Sequence, residues 1–150
     1  ALARWLVEER GARVLVTGGL SEIEREYART IETDSGVPVT NLVGETSLKQ
    51  VLAVIAAADL LICPDSGPAH MGTAVGTRVV GLYATTNRFR AAPYFCQDLV
   101  VDKYPEAVMR EYGKPVDQLR WGTRVRDPSA MDLITLPDVQ ARVDQALASD

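Results

Sequence analysis

Asp59-Leu60-Leu61-Ile62-Cys63-Pro64-Asp65-Ser66-Gly67-Pro68-Ala69-His70-Met71-Gly72-Thr73-Ala74-Val75-Gly76, with Val79-Val80-Gly81-Leu82-Tyr83-Ala84-Thr85-Thr86 just after it, reads as strand, tight loop, helix, strand and loop. Leu60 to Cys63 is a short apolar run bounded by punctuation, as a buried parallel strand is. Pro64 ends it. Asp65-Ser66-Gly67 has loop chemistry: two small polar side chains, then a residue that lets a backbone or ligand come close. Pro68 suits the first position of a helix, where its missing N–H costs nothing. Val79 to Tyr83 forms the next strand.

A helix that begins just past the C-terminal end of a parallel strand points unpaired N–H groups and the positive end of its dipole into the crevice above the sheet. That arrangement receives phosphate. His70 lies in the first turn and can donate a further hydrogen bond. Ser66 offers a hydroxyl, Asp65 a carboxylate, and Thr85 and Thr86 two more hydroxyls at the end of the next strand. The competing reading of Asp65-Ser66 is a simple N-cap, the commonest use of such residues before a helix. The chain's single His in the same turn favours ligand contact. A nucleophile elbow does not fit, because Pro64 and Pro68 stand where glycines would flank Ser66. The chain contains neither a Walker A sequence nor G-x-G-x-x-G.

The chain alternates outward from this stretch. Ala1 to Arg10 is an amphipathic helix with Leu2, Trp5 and Leu6 on one face, stopped by Gly11. Arg13 to Thr17 is a strand, turned by Gly18-Gly19. Ser21 and Glu24 fit a capping box opening a helix to about Thr33. Glu22 in its first turn either complements the dipole or reaches a ribose hydroxyl. Val37 to Leu42 is a short strand. Gly44-Glu45-Thr46-Ser47 is a loop, and Ser47 caps a helix over Leu48 to Ala58 with apolar positions Leu48, Val51, Leu52 and Ile55. Strands alternating with helices over the first 86 residues predict an α/β fold with a doubly wound, Rossmann-like parallel sheet.

The pattern then loosens. Arg88 and Arg90 follow the Thr85-Thr86 loop, as solvated cations or as partners of a diphosphate. Leu99 to Val101 is a short strand and Tyr104 to Tyr112 a helix. Leu119 to Arg124 is irregular, with Trp121 as a packing anchor. A terminal helix is expected over 137–150, with Val139, Val143 and Leu147 as its stripe.

At 150 residues the length fits one domain with a real core, here read as a single nucleotide-sugar-binding domain over 1–150. Net charge is −4 and there is no basic-aromatic stripe, which argues against nucleic acid and gives no pull towards anionic lipid. No apolar run is long enough to span a bilayer, and no signal-peptide pattern is present. Two cysteines, Cys63 and Cys96, read as free thiols in a reducing compartment. One His and scattered Cys argue against a metal site. Residue 1 is not Met and lies at the start of a helix, which reads as a piece of something longer.

These residues together resemble the C-terminal half of the ADP-heptose:lipopolysaccharide heptosyltransferases, glycosyltransferase family nine. Val14 to Gly19 with Glu22 looks like that family's strand, Gly-Gly turn and acidic residue. Gly44-Glu45-Thr46-Ser47-Leu48 resembles its loop under the adenine. Asp65-Ser66-Gly67-Pro68-Ala69-His70 resembles its most distinctive motif, Asp-Ser/Thr-Gly-x-x-His. Gly81 to Thr86 resembles the segment that follows, with Ala84-Thr85-Thr86 where the family often has Gly-Pro-Thr. The tail from Val101 to Leu147 also looks like one branch of the family.

The resemblance implies the C-terminal half of a GT-B fold, two Rossmann-like domains with the active site between them. It implies inverting, metal-independent transfer with no cofactor, a donor of the ADP-heptose type and a lipid A-core acceptor held by the other domain. It implies a cytoplasmic enzyme, peripheral at the inner membrane because its acceptor is lipid-linked. The donor-binding residues would be Gly18, Gly19, Glu22, Thr46, Leu48, Asp65, Ser66, Gly67, His70 and Thr86, with Arg88 as a further phosphate contact. Glu22 would hold the ribose, Asp65 sugar hydroxyls, and Ser66 and Thr86 phosphate or sugar oxygens. His70 would donate to the leaving phosphate or fix the loop. No residue here matches the family's catalytic Asp or its phosphate-binding Lys, so this segment alone is expected to be inactive. Two other readings stand beside it: another GT-B enzyme such as a nucleotide-sugar 2-epimerase relative, and a stand-alone nucleotide-binding module.

Overall fold

The computed structural model describes residues 1–148; the last two positions of the helix expected over 137–150 lie outside the described residues. The order of the first eight elements is the alternation expected: α1 (Leu2–Arg10), β1 (Val14–Val16), α2 (Glu22–Ser35), β2 (Val39–Asn41), α3 (Leu48–Ala57), β3 (Leu60–Pro64), α4 (Gly67–Val75) and β4 (Arg78–Tyr83). A short helix α5 (Arg88–Ala91), strand β5 (Val101–Asp102), α6 (Tyr104–Tyr112) and α7 (Leu136–Ala148) follow. Every strand pairing is parallel, in two ladders: β1-β2, and β3-β4-β5. The residues form two compact units, Ala1–Ala53 and one beginning at Val54. No helix among the described residues is long and apolar enough to cross a membrane.

In the first unit β1 and β2 pair in register from Val14↔Val39 to Val16↔Asn41. Both strands therefore send their following loops out at one edge. Gly11 and Gly36 end α1 and α2 in the left-handed region, at φ 61° and 67°, where glycine alone has no steric penalty. Arg4 Nε donates to the Ser35 carbonyl at 2.7 Å, joining α1 to the end of α2. Ser47 and Gln50 make a reciprocal capping box at α3: the Gln50 N–H donates to Ser47 Oγ at 3.2 Å, and the Ser47 N–H to Gln50 Oε1 at 2.8 Å. Of the apolar positions read on that helix, Ile55 is buried, whereas Leu48 is 70% exposed.

The second unit is built around β4. Val79 and Val80 are fully buried, on opposite faces of the strand, because helices cover a parallel sheet on both sides. Gly72 lets α4 approach β4 closely: a Cβ there would lie 2.5 Å from Val79 Cγ2. Gly81 leaves room for the Tyr83 ring, whose Cε2 is 2.7 Å from the place of a Cβ at Gly81. The Tyr83 hydroxyl donates to the Ala91 carbonyl at 2.9 Å. The last strand is Val101–Asp102, not Leu99 to Val101; Gln97–Leu99 coils into a 3-10 turn instead.

α7 presents Val139, Val143 and Ala146 inward. Leu147, read as part of that stripe, is 40% exposed, because Ala146 occupies the inward position in the last turn. Arg78 Nη1 donates to the Ala146 carbonyl at 2.8 Å and so holds the end of α7 at the start of β4. Thr135 and Asp138 cap the other end, with Thr135 N–H and Oγ1 donating to Asp138 Oδ2. These bonds hold the Asp138 carboxyl below its usual range.

Gly72→Ala tests the approach of α4 to β4. The added methyl gains about 1 kcal/mol of helix propensity but overpacks a rigid, buried valine, at a cost of about 1–3 kcal/mol. Urea unfolding should give a net loss of stability; a gain would mean the helix can move off the strand. Ser47→Ala should cost about 1 kcal/mol in the same measurement, since it opens the reciprocal cap of α3.

Candidate functional site

The candidate residues fall in both units, and each unit brings its own set together. In the second, the ladder register pairs Pro64 with Leu82 and Leu82 with Val101. The turn after β3 and the loop after β4 therefore leave the sheet at one edge. At the first of them Ser66 stands in the N-cap position of α4, extended at φ −159° and ψ 168°, with no side-chain cap. Its hydroxyl turns back and donates to the Pro64 carbonyl at 3.1 Å. Capping thus does not account for Ser66, which makes no side-chain hydrogen bond to the N-terminus of α4. A Cβ added at Gly67 would meet nothing within 4 Å, so the space in front of the turn is open. Pro68 is the second helical residue, one place further in than read, because the helix starts at Gly67. His70 is exposed one turn in, and Asp65 is half-buried.

The carboxylate of Asp65 is felt by its neighbours. Burial pushes the Cys63 thiol up to about 11; Ser66 opposes this through a hydrogen bond and Asp65 adds to it. Burial, then Asp65, also pushes the Tyr83 hydroxyl well above its ordinary range. Both groups are therefore neutral at physiological pH, and Asp65 has no cationic side chain within 4.0 Å among the described residues.

At the second loop, Thr85 accepts the Val125 N–H on its carbonyl at 3.0 Å. Thr86 is 2% exposed and its Oγ1 has no hydrogen-bond partner. Asn87 caps α5, its Oδ1 accepting the Phe89 N–H at 2.9 Å. Arg88 is half-buried. Its Nη2 donates to the Gln97 carbonyl, while its buried Nε has no partner. Its charge also acts on Asp102 at the end of β5, whose carboxyl is raised by burial and drawn back by the Tyr104 N–H and by Arg88. Arg88 is thus a semi-interior residue rather than a solvated loop cation.

In the first unit the Gly44 N–H donates to the Gly18 carbonyl at 3.2 Å, which brings the Gly18-Gly19 turn and the loop containing Thr46 together. Thr46 is half-buried and Leu48 exposed. Glu22 is exposed and lies 3.4 Å from Arg29. The carboxylate over the Gly-Gly turn belongs to Glu24: its Oε1 accepts the Gly19 N–H at 3.2 Å, while Ser21 Oγ accepts the Glu24 N–H. The expected capping box is therefore half made, with the glutamate reaching two residues further back. Arg25 covers Gly44, its Nη2 2.9 Å from where a Cβ would sit. Sequence reasoning gave Glu24 only a capping role and passed over Arg25; the run of charges after the Gly-Gly turn was the available signal.

A recess of about 370 Å³ opens beside the start of α5, lined by Asn87, Phe89, Tyr104, Asp117, Arg120 and Trp121 among others. Trp121, read as a packing anchor, is 67% exposed on its rim. Packing in that region is done by Tyr104, Ala107, Val108, Val125 and Ala130 instead. The Tyr104 hydroxyl donates to the Thr123 carbonyl at 2.5 Å, tying the irregular segment to α6. No group of three His, Cys, Asp or Glu side chains among the described residues could hold a metal ion.

Similar sequences and folds occur among known proteins. The chain is 37% identical over 145 residues to the lipopolysaccharide core heptosyltransferase OpsX of Haemophilus influenzae, covering 90% of this chain and 42% of that protein. It is 35% identical over 92 residues to lipopolysaccharide heptosyltransferase 3 of Escherichia coli K12, covering 59% of this chain and 26% of the relative. It therefore spans about two fifths or less of the lengths of these relatives. Among solved structures, a family 9 glycosyltransferase from Veillonella parvula superposes with a TM-score of 0.74 at 20% identity, over 99% of this chain and 40% of that one. E. coli ADP-heptose LPS heptosyltransferase II gives 0.67 at 22%, over 98% and 39%. These two show the fold, that of the GT-B glycosyltransferases. The sequence model described as Glycosyltransferase family 9 (heptosyltransferase) matches residues 1–119, and the chain belongs to that family.

Proposed function

We propose that this chain is the donor-binding half of an inverting, metal-independent heptosyltransferase of lipopolysaccharide core synthesis, with ADP-heptose as donor. The observation that carries the reading is the turn after β3: Ser66 withdraws its hydroxyl, Gly67 leaves open space, and the uncapped N-terminus of α4 lies between Asp65 and His70. The names of similar proteins agree with it. One relative is a lipopolysaccharide core heptosyltransferase, and one solved neighbour is an ADP-heptose LPS heptosyltransferase.

In this reading the diphosphate rests over the first turn of α4. As the bond between sugar and phosphate breaks, negative charge grows on the leaving diphosphate. N–H groups already fixed there, with His70 as a further donor, stabilise that charge more in the transition state than in the ground state. No resident metal is called on. Asp65 receives hydroxyls of the sugar. The Gly18-Gly19 turn and the Gly44 to Leu48 loop hold the nucleoside, with Glu22 or Glu24 at the ribose. Thr86 and Arg88 brace the loop after β4. The acceptor's base belongs to the rest of the enzyme, which works on the cytoplasmic side against the inner membrane.

Calorimetric titration of the chain with ADP, UDP and GDP, without added metal, tests this. ADP should bind selectively, and His70→Ala should weaken it about tenfold or more, the worth of one hydrogen bond to a charged group. Selective UDP binding would move the assignment to another GT-B enzyme. Unchanged ADP affinity in the His70 variant would remove that side chain from the site.

A further inference from the structure

We infer that residues 88–95 and 119–126 form one surface that docks on a membrane carrying anionic phospholipid. Charge placement is the first observation. Residues 85–97 and 119–126 hold five arginines, at 88, 90, 120, 124 and 126, and no Asp or Glu, in a chain with 20 acidic residues against 16 basic ones. The net charge of −4 conceals this, because the acids lie elsewhere. Neither segment alone is a basic-aromatic stripe; the fold makes one by joining them. The Val125 N–H donates to the Thr85 carbonyl at 3.0 Å, Arg90 Nε lies 3.6 Å from the place of a Cβ at Gly122, and Phe89 and Trp121 line the same recess.

Both segments also turn their aromatic rings outward. Phe89 is 76% exposed, Tyr94 80%, Phe95 77% and Trp121 67%. Single exposed apolar residues are ordinary, but four large rings on two touching segments mark a contact surface. The rings are held in place. Pro93 and Cys96 are buried, and the Cys96 N–H donates to the Pro93 carbonyl at 3.1 Å, closing a turn with Tyr94 and Phe95 at its tip. Gln97 Nε2 braces that turn, donating to the Ala92 and Pro93 carbonyls at 3.3 Å. The two rings meet edge to face with centroids 5.3 Å apart. Turn tips ordinarily carry Gly, Asn, Asp or Ser; two aromatic rings fixed there bury little of their area within the chain.

The cations are free to meet a partner. Arg90, Arg120 and Arg124 are exposed, and none makes an ion pair among the described residues. Arg88-Phe89-Arg90 and Arg120-Trp121 interleave cations with rings, and an anionic bilayer offers phosphate and hydrocarbon side by side. Aromatic rings settle at the boundary between headgroups and acyl chains, while guanidinium groups take phosphate oxygens through paired N–H donors. The rest of the chain is net acidic and is repelled by such a surface, so this face alone approaches it. Docking here would hold the turn after β3 near the bilayer, since that turn and the loop after β4 leave the sheet at one edge. That consequence rests on the donor reading of the turn; the docking does not.

Vesicle flotation of the full chain tests the inference, with phosphatidylcholine alone or mixed with phosphatidylglycerol. The chain should float with the mixed vesicles and much less with phosphatidylcholine alone. Raising salt from about 0.1 to about 1 M, which shortens the screening length from about 10 to about 3 Å, should release most of it. Arg90→Gln and Arg120→Gln should each weaken binding about fivefold, and Tyr94→Ser combined with Phe95→Ser about tenfold or more. Thermal unfolding of each variant, followed by circular dichroism, should match the natural chain, because the side chains removed are exposed. No flotation, equal flotation with both vesicles, or variants that float as the natural chain does would overturn the inference. So would self-association in sedimentation equilibrium that the same substitutions abolish in a chain that does not float; the surface would then belong to a second copy. Flotation of a chain that does not bind ADP would sink the donor reading and leave the docking surface standing.

Discussion

Parallel pairing of β4 with β3 on one side and β5 on the other constrains nearly everything in the second unit. Parallel strands must be joined by crossovers, so each C-terminal end releases its loop at one edge and each return passes through a helix on a face. Both faces of β4 are covered as a result, which is why Val79 and Val80 are both fully buried. Two glycines meet the spatial demands: Gly72 admits α4, and Gly81 admits the ring of Tyr83. From there the constraint runs outward. The Tyr83 hydroxyl holds the Ala91 carbonyl, and Arg88 at the head of the same short helix holds the Gln97 carbonyl. The recess beside α5 is thus fixed by a strand at the centre of the sheet, although α5 is only one turn long.

The edge also carries polar atoms that folding leaves unmatched. Thr86 Oγ1 and Arg88 Nε are buried, two residues apart, without partners. Each such atom costs about 1–3 kcal/mol, and native structures keep few of them. Ser66 shows the related case of a side chain whose common local bond is not made. Its hydroxyl satisfies a strand-end carbonyl rather than the helix it precedes. The second unit departs from local self-satisfaction on this one edge, where an α/β sheet receives ligands.

Most of the element order was legible because the signals are local. Gly11 and Gly36 punctuate helices through their backbone freedom, and Ser47 with Gln50 makes a reciprocal cap. The Asp65 to His70 turn was legible for the same reason, since a proline-bounded strand followed by small polar residues has few other uses. What was not legible depends on neighbours far along the chain. Nothing in the local sequence says that Trp121 faces outward, because that follows from Tyr104 binding the Thr123 carbonyl and filling the interior first. The capping-box spacing marks Glu24 rather than Glu22, but it aims that carboxylate at the Ser21 N–H; that it accepts the Gly19 N–H instead is a property of the folded turn and not of the spacing. The inward choice of Ala146 over Leu147 is likewise made by the close approach of α7, whose last turn is held by Arg78.

Cys63 lies two residues from Asp65, yet its environment makes it chemically quiet. A thiol pushed up to about 11 is thiolate in only about one molecule in ten thousand at pH 7. Cys96, the other thiol, is buried and accepts the Val79 N–H on its sulfur. Both thiols are buried, and burial also favours the protonated form of Cys63, so an exposed cysteine introduced on the open edge should react ahead of either with alkylating reagents. The natural chain can serve as its own background for site-directed spin or fluorophore labelling, with no need to remove its native sulfurs first.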